Sequence, residues 1–260
     1  IQPPDGPYQA GKTYDFEATG LDKGGNKIQI SPNWAVTTHI GNIDRESGEF
    51  TARKVGTGSV EAYLKGIVAS RDIEVVPGDL AQLFIDPNPV TVKSGRTQTF
   101  TVKGVDKERN EVQVPELTWN VDGDIGSFQK PGEFTATRQG SGKITAETNG
   151  LKAESYVTVV AGEPDIDNTR VRAKQASVPA NGQDSATIII EVRDKYNNPV
   201  PDARVKLVSN RQADSIQQPG KTDDQGRTVG QVTSETAGTS TITALVGQEA
   251  VRDTVRIRFR

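Results

Sequence analysis

Cysteine is absent from the 260 residues, and so is methionine; histidine occurs once and tryptophan twice. Without cysteine there can be no disulfide framework, thiolate metal site or cysteine nucleophile. Without methionine there is no initiator, so the chain reads as a processed or excised segment. The lack of a signal peptide in it therefore says nothing about export. Aromatic residues make up 5% and hydrophobic residues 33%, which is little for one large core and suits several small ones. An apolar run of about 18 residues, long enough to span a bilayer, is also missing, so this segment is not expected to insert into a membrane. A formal net charge of −3 gives no general attraction for nucleic acid.

What the chain does have is repetition, punctuated by 26 glycines and 14 prolines. "GLDKGGNKIQI" (Gly20–Ile30) returns as "GVDKERNEVQV" (Gly104–Val114), 84 residues later. Phe16 falls on Phe100, Asp22-Lys23 on Asp106-Lys107, and Asn26 on Asn110. After a one-residue insertion Trp34 meets Trp119, and "GEFTA" at Gly48 meets "GEFTA" at Gly132 back in the 84-residue register. "VVPG" at Val75–Gly78 matches "VVAG" at Val159–Gly162. A unit of this length can bury a core of its own, unlike the shorter solenoid repeats that must stack. Two complete domains are therefore expected at residues 1–78 and 79–162, with a third, different one at 163–260.

Each repeat is written in short strands. In "YDFEATGLD" Tyr14, Phe16 and Ala18 alternate with Asp15, Glu17 and Thr19, the period of a half-buried strand. "KIQI", "WAV", "GSVEAYL" and "RDIEVV" continue the pattern between Gly, Pro, Asn and Asp. No helical apolar stripe runs for ten residues. The expected fold is all-β, three tandem antiparallel sandwiches in an extended array. The stretches "DKGGN", "DKERN" and "DKYNN" (the last at Asp194) each lie between strand-like runs. Asp and Asn suit turns because they accept backbone hydrogen bonds and tolerate left-handed conformations. An acidic turn could also hold a cation, but the Lys beside each Asp favours a plain connection.

The last third carries a resemblance. "PANGQDSATI", "VRDKYNNPVPDARVKL", "TDDQGRT" and "TSETAGTSTITALV" are similar to the bacterial Ig-like group 1 domain, the invasin/intimin stalk module. Residues 1–162 resemble the group 2 bacterial Ig-like module through "GNIDRESGEFTARKVGTGSVEAYL" and "GDIGSFQKPGEFTATRQGSGKITAET". The resemblance implies a bacterial surface or secreted protein in which Ig-like domains serve as spacers and sometimes as adhesive surfaces. No counterpart of the lectin-like tip of invasin-type adhesins is present, which implies stalk rather than tip.

Catalytic patterns are scarce. His39, the single histidine, has no equivalent in the second repeat, and no "GxSxG" accompanies it; a surface loop is its expected place. One histidine and no cysteine leave zinc without a ligand set, and no phosphate-binding glycine motif occurs. Three carboxylate pairs, Asp44/Glu46, Asp122/Asp124 and Asp223/Asp224, could in principle cleave glycosides. Each lies in a glycine-containing turn away from aromatics. Trp34 and Trp119 could stack on sugars, but equivalent strand positions suit core residues better. Asp79 and Asp86 at the first junction, and Glu163, Asp165 and Asp167 at the second, lack the alternate spacing of a calcium loop. Arg170, Arg172 and Lys174 alternate with apolar residues, as do Arg256, Arg258 and Arg260. If first and last strands adjoin, the six form one basic face for an acidic polysaccharide or neighbouring domain; the competing reading is protection of an edge strand.

The sequence thus leads to a non-catalytic, extracellular or cell-surface, monomeric stalk or spacer, in one version adhesive, with no cofactor, metal or nucleic-acid partner. A glycan- or host-protein-binding module, and an accessory region of a secreted polysaccharide-degrading enzyme, are the alternatives. No binding residue can be named. Sandwiches of about 35–40 Å joined end to end by short linkers should make a rod of roughly 110 Å. Small-angle scattering should then give a radius of gyration of about 30 Å or more, against ~18 Å for a compact chain of this size. A value near the compact figure would remove the extended array.

Overall fold

A computed structural model describes all 260 residues. It is all-β, with 27 strands and no helix. The chain divides into two compact units. One comprises Ile1–Asp86, Thr101–Thr118 and Thr145–Glu154; the other comprises Pro87–Phe100, Trp119–Ile144 and Ser155–Arg260. The division passes through the second repeat, although no sheet joins strands from different repeats.

In the first unit, strands Thr13–Asp15, Glu49–Ala52 and Gly41–Ile43 form one sheet. Tyr8–Gln9, Ile67–Val76, Gly56–Leu64 and Asn33–Val36 form the other. Between them lie Tyr8, Phe16, Trp34, Phe50, Val60 and Val75, all buried. Phe16 and Phe50 meet edge to face at 6.0 Å, the geometry that aligns a ring's positive edge with its neighbour's negative face. Tyr14, Phe16 and Ala18 do turn inward while Asp15, Glu17 and Thr19 are exposed. The run is not one strand, however. Thr13–Asp15 pairs with Glu49–Thr51, whereas Thr19–Leu21 pairs with Lys27–Gln29. Phe16 marks the crossing, its amide bonded to the Gly48 carbonyl at 3.1 Å. Gly48 has φ +81°, and a Cβ there would stand 2.6 Å from the Phe16 carbonyl oxygen and 2.8 Å from the Trp34 ring. Only glycine serves in this "SGEFTA" turn.

The first unit also holds the sheet Gln82–Asp86, Thr101–Val105, Glu111–Val112. In the second unit Val90–Lys93 runs parallel to Val157–Val160, and Thr97–Thr99, Glu133–Ala136 and Gly126–Lys130 pair antiparallel. Residues 170–259 fold into two four-stranded sheets around Val171, Ile188, Ile190, Leu207, Ile242, Ile257 and Phe259. In "GTSTITALV" the alternation holds: Ser240, Ile242, Ala244 and Val246 are buried. The opening strand changes sheets here as well. Arg170–Ala173 pairs antiparallel with Ile188–Glu191; Ser177–Val178 then runs parallel to the final strand, beside Arg258 and Phe259. Strands that switch sheets in this way make the corners of a closed sandwich.

The two tryptophans are less equivalent than their sequence positions suggest. Trp34 is 5% exposed, whereas Trp119 is half-buried, its ring centroid 5.3 Å from that of Phe128. Phe128 stands where the first repeat has Ile43. Two large side chains share the space there, and neither is fully covered. Emission from Trp34 in a Trp119→Phe variant should be blue-shifted and poorly quenched by acrylamide, and Trp119 in Trp34→Phe should be quenched several times more readily. Trp34→Ala should cost about 3–5 kcal/mol and Trp119→Ala clearly less, by denaturant unfolding.

Candidate functional site

The side chains that the structure brings together most closely are those of the repeated Asp-Lys turn. Its backbone is the same in all three copies. The Asp amide bonds to the Asn carbonyl four residues on, at 3.0 Å for Asp22, Asp106 and Asp194 alike. The residue before the Asn is left-handed: Gly25 at φ +80°, Arg109 at +64°, Asn197 at +66°. Each Asp accepts the Asn amide on Oδ1, at 2.8–2.9 Å, and the Asn side-chain Nδ2 on Oδ2, at 2.8–3.0 Å. As expected, the motif is a connection between strands. It also has a second role that the sequence did not reveal.

In the first unit Asp106 and Asn110 are 3% and 7% exposed. Asp106 Oδ2 accepts the amide of Gly78, the glycine that closes the first repeat, at 2.9 Å. Asn110 donates Nδ2–H to the Arg53 carbonyl at 2.7 Å and accepts the Val55 amide at 3.2 Å. Glu108 adds an exposed ion pair to Arg53 at 3.2 Å. The second unit repeats the arrangement. Asp194 Oδ2 accepts the amide of Gly162 at 2.9 Å. Asn198 donates to the Thr137 carbonyl at 2.8 Å and to Ser94 Oγ at 3.0 Å, and accepts the Gln139 amide at 2.8 Å. Gly78 and Gly162 are required: a Cβ would stand 2.5 Å from the Ala10 carbonyl oxygen or 2.7 Å from that of Ser94. Each turn thus clasps the closing end of the repeat before it. The first copy has the same internal bonds, but Asp22 and Asn26 are exposed.

Burial alone would push the Asp194 carboxyl up. Hydrogen bonds from the Asn198 side chain and the Gly162, Asn198 and Tyr196 amides outweigh it and hold the group below its ordinary value. The same opposition leaves Asp106 below its ordinary value, through the Asn110 side chain and the Gly78, Asn110 and Glu108 amides. Asp22 is lowered by the Asn26 side chain and amide.

The residues considered from sequence fall elsewhere. His39 is exposed in the loop after Asn33–Val36. Asp44 caps its own turn through the Glu46 and Ser47 amides and Ser47 Oγ. Asp124 is ion-paired to Arg138, and Asp223 accepts the Gln225 and Arg227 amides. Junction acids are dispersed: Glu163 pairs with Lys93, Asp165 caps the amides of Asp167 and Asn168, and Asp167 pairs with Arg252. No group of three His, Cys, Asp or Glu converges as a metal site. The single basic face does not form. Arg170 and Arg172 stand on one sheet and Arg256 and Arg258 on the other: Arg170–Ala173 lies beside the final strand, its Val171 amide bonded to Asp253 Oδ2 at 3.1 Å, but the opening strand pairs into the final strand's sheet at Ser177–Val178. Arg172 is moreover paired with Glu191 at 3.3 Å.

Residues 168–260 match the family model of the bacterial Ig-like domain (group 1). No curated protein matches the chain. Among solved structures it is similar to FdeC, an adhesin of Escherichia coli, with 18% identity and a TM-score of 0.59 over 99% of this chain and 95% of that one. It is also similar to invasin, a bacterial integrin-binding protein, with 19% identity and a TM-score of 0.56. That alignment covers 98% of this chain but 58% of invasin. At such identities the likeness is one of fold: tandem Ig-like β-sandwiches.

Removing either clasp partner leaves a buried amide or carbonyl without its mate. Asn198→Ala and Asp194→Ala should each cost about 1.5–3 kcal/mol in the second unit, read by denaturant unfolding. The folded carboxyl binds a proton less readily than the unfolded one. Its contribution should be fully present above the ordinary Asp value of ~3.9 and be lost as pH falls from there through the lower folded value. Asp194→Asn should flatten that acid limb.

Proposed function

We propose that the chain is a non-catalytic run of three Ig-like modules, at about residues 1–78, 79–162 and 163–260, in a bacterial cell-surface or secreted protein. It acts as a spacer that sets the position of whatever lies at its ends. The observation that carries this reading is the pair of clasps. A buried Asp and Asn at the start of one repeat read three backbone groups at the end of the one before, which fixes successive modules at a defined junction without a shared sheet. One carboxylate of each pair that could have been catalytic, Asp44, Asp124 and Asp223, is bound up in a turn or an ion pair, and the one histidine is exposed in a loop. Similarity in fold to an adhesin and to an integrin-binding protein supports a surface location and an adhesion-type context. A host protein or extracellular glycan is the class of partner such a context supplies.

Pulling single molecules from the two termini tests the modular part. Three unfolding events are expected, each releasing about 80–100 residues, or roughly 260–350 Å of contour at the reach of an extended chain. One or two larger events would show that the repeats are not separate mechanical units. A panel of esters, peptides and glycosides should show no turnover; activity lost in His39→Ala would overturn the non-catalytic reading.

A further inference from the structure

We infer that Tyr196, with the two polar hollows that meet at it in the second unit, is a binding site for an oligosaccharide bearing a carboxylate, such as a uronic or sialic acid residue. Tyr196 is 41% exposed, although the Asp194 and Asn198 of its own turn are buried. Its backbone is fixed, because the Tyr196 amide donates to Asp194 Oδ1 at 2.9 Å. The ring rests on Gly95, where a Cβ would stand 3.3 Å from Tyr196 Cε2. An aromatic ring held still and left exposed offers apolar contact to the C–H face of a sugar with little ordering cost.

One hollow, of 290 Å³, is lined by Lys93, Arg96, Glu163 and Lys195 beside Tyr196. Its carboxylates are already engaged: Glu163 by Lys93 at 2.8 Å, Asp165 by the Asp167 and Asn168 amides, and Asp194 by its four donors. Lys93, and beyond it Arg96, hold the Glu163 carboxyl below its ordinary value. A carboxylate is thus already accommodated among these cations, but Glu163 is a loose occupant. Both side chains of its pair are largely exposed, at 59% and 73%, where an ion pair contributes little. A ligand carboxylate can displace it, taking the Lys93 ammonium and the guanidinium of Arg96, whose paired N–H groups match two oxygens.

The other hollow, of 650 Å³, is lined by Asp124, Arg138, Gln139 and Asn197. Asp124 and Arg138 neutralise each other, while the exposed Gln139 and Asn197 side chains each offer a donor and an acceptor, which suits sugar hydroxyls. Tyr196 is the one residue common to the two hollows. No other exposed large hydrophobic side chain lines either of them, so the apolar surround that a protein partner would bury is missing. The turn itself does not need the ring. Its three copies carry Gly24, Glu108 and Tyr196 at this place, and the Glu108 copy keeps the same buried Asp–Asn bonds. The inference rests on the proposed function for the class of partner, an extracellular glycan, and names its site and chemistry.

Probing an array of carboxylated (oligogalacturonate and sialylated), sulfated and neutral oligosaccharides with the full chain tests it. Retention on carboxylated glycans is expected. It should weaken about tenfold or more in Tyr196→Glu, which copies the first junction, and likewise in the exposed Arg96→Gln, with both variants unfolding in denaturant like the parent. Tyr196→Phe should still bind, and His39→Ala should match the parent. Retention confined to neutral or sulfated glycans, or unchanged in either of the first two variants, would overturn the proposal. Retention of no glycan would assign the exposed ring to a protein partner and overturn it too. The spacer reading is judged separately, by the three unfolding events.

Discussion

One buried carboxylate at each junction, accepting a glycine amide from the preceding repeat, sets the terms for the rest of the molecule. An ionised Asp at 3% or 1% exposure is tolerable only when its lone pairs are fully engaged. Asp194 achieves this with the Tyr196 and Asn198 amides on one oxygen and Asn198 Nδ2 and the Gly162 amide on the other. Three of these donors belong to the turn, and the fourth is supplied by the module before. A junction that opened would leave the carboxylate one donor short and expose Asn198's partners together.

The sandwich supplies the stiffness that this requires. The turn sits between paired strands whose opening partner, Gln82–Asp86 in the second repeat, follows the glycine by only a few residues. At Phe100, whose amide bonds to the Gly132 carbonyl at 2.8 Å, the chain passes from strand Thr97–Thr99 to strand Thr101–Val105, which leads directly into the turn. Because the Asp22 copy keeps its internal bonds while exposed, the turn is organised before anything docks. Little ordering entropy is then lost on contact, which is how a small polar surface can hold a defined geometry.

Much of this was legible from residues alone. The alternation of Tyr14, Phe16 and Ala18, the spacing of the glycines and the 84-residue register lead to repeated antiparallel sandwiches, and the resemblance of the quoted motifs adds that they are Ig-like, because core burial and turn chemistry are local demands written at fixed periods. Legibility stopped where the demand was not local. "DKGGN" and "DKERN" look alike in sequence, yet one is exposed and the other buried, since burial depends on what sits 28 residues earlier in space and chain. The signal was nonetheless present. "VVPG" and "VVAG" recur with the turns, and a repeated glycine outside any strand hairpin asks what backbone approaches it. The basic stripes misled for a related reason. Alternation shows that the arginines face outward, but only the sheet switch after Ala173 decides which way outward is.

The lysine beside each Asp was the residue that argued against a cation in these turns. In the structure Lys23, Lys107 and Lys195 all remain exposed, so none of them neutralises its neighbour. Neutralisation comes from N–H groups. A carboxylate has about four lone-pair sites, and at Asp194 four donors within 2.9 Å fill them. No lone pair is left aimed at an ion. Acidic junctions elsewhere can use calcium to stiffen a rod, because bare carboxylates repel one another until a cation binds them. Here the isolated Asp and the amide-bearing Asn complete each other. The Asp194 junction is held by backbone and amide N–H donors.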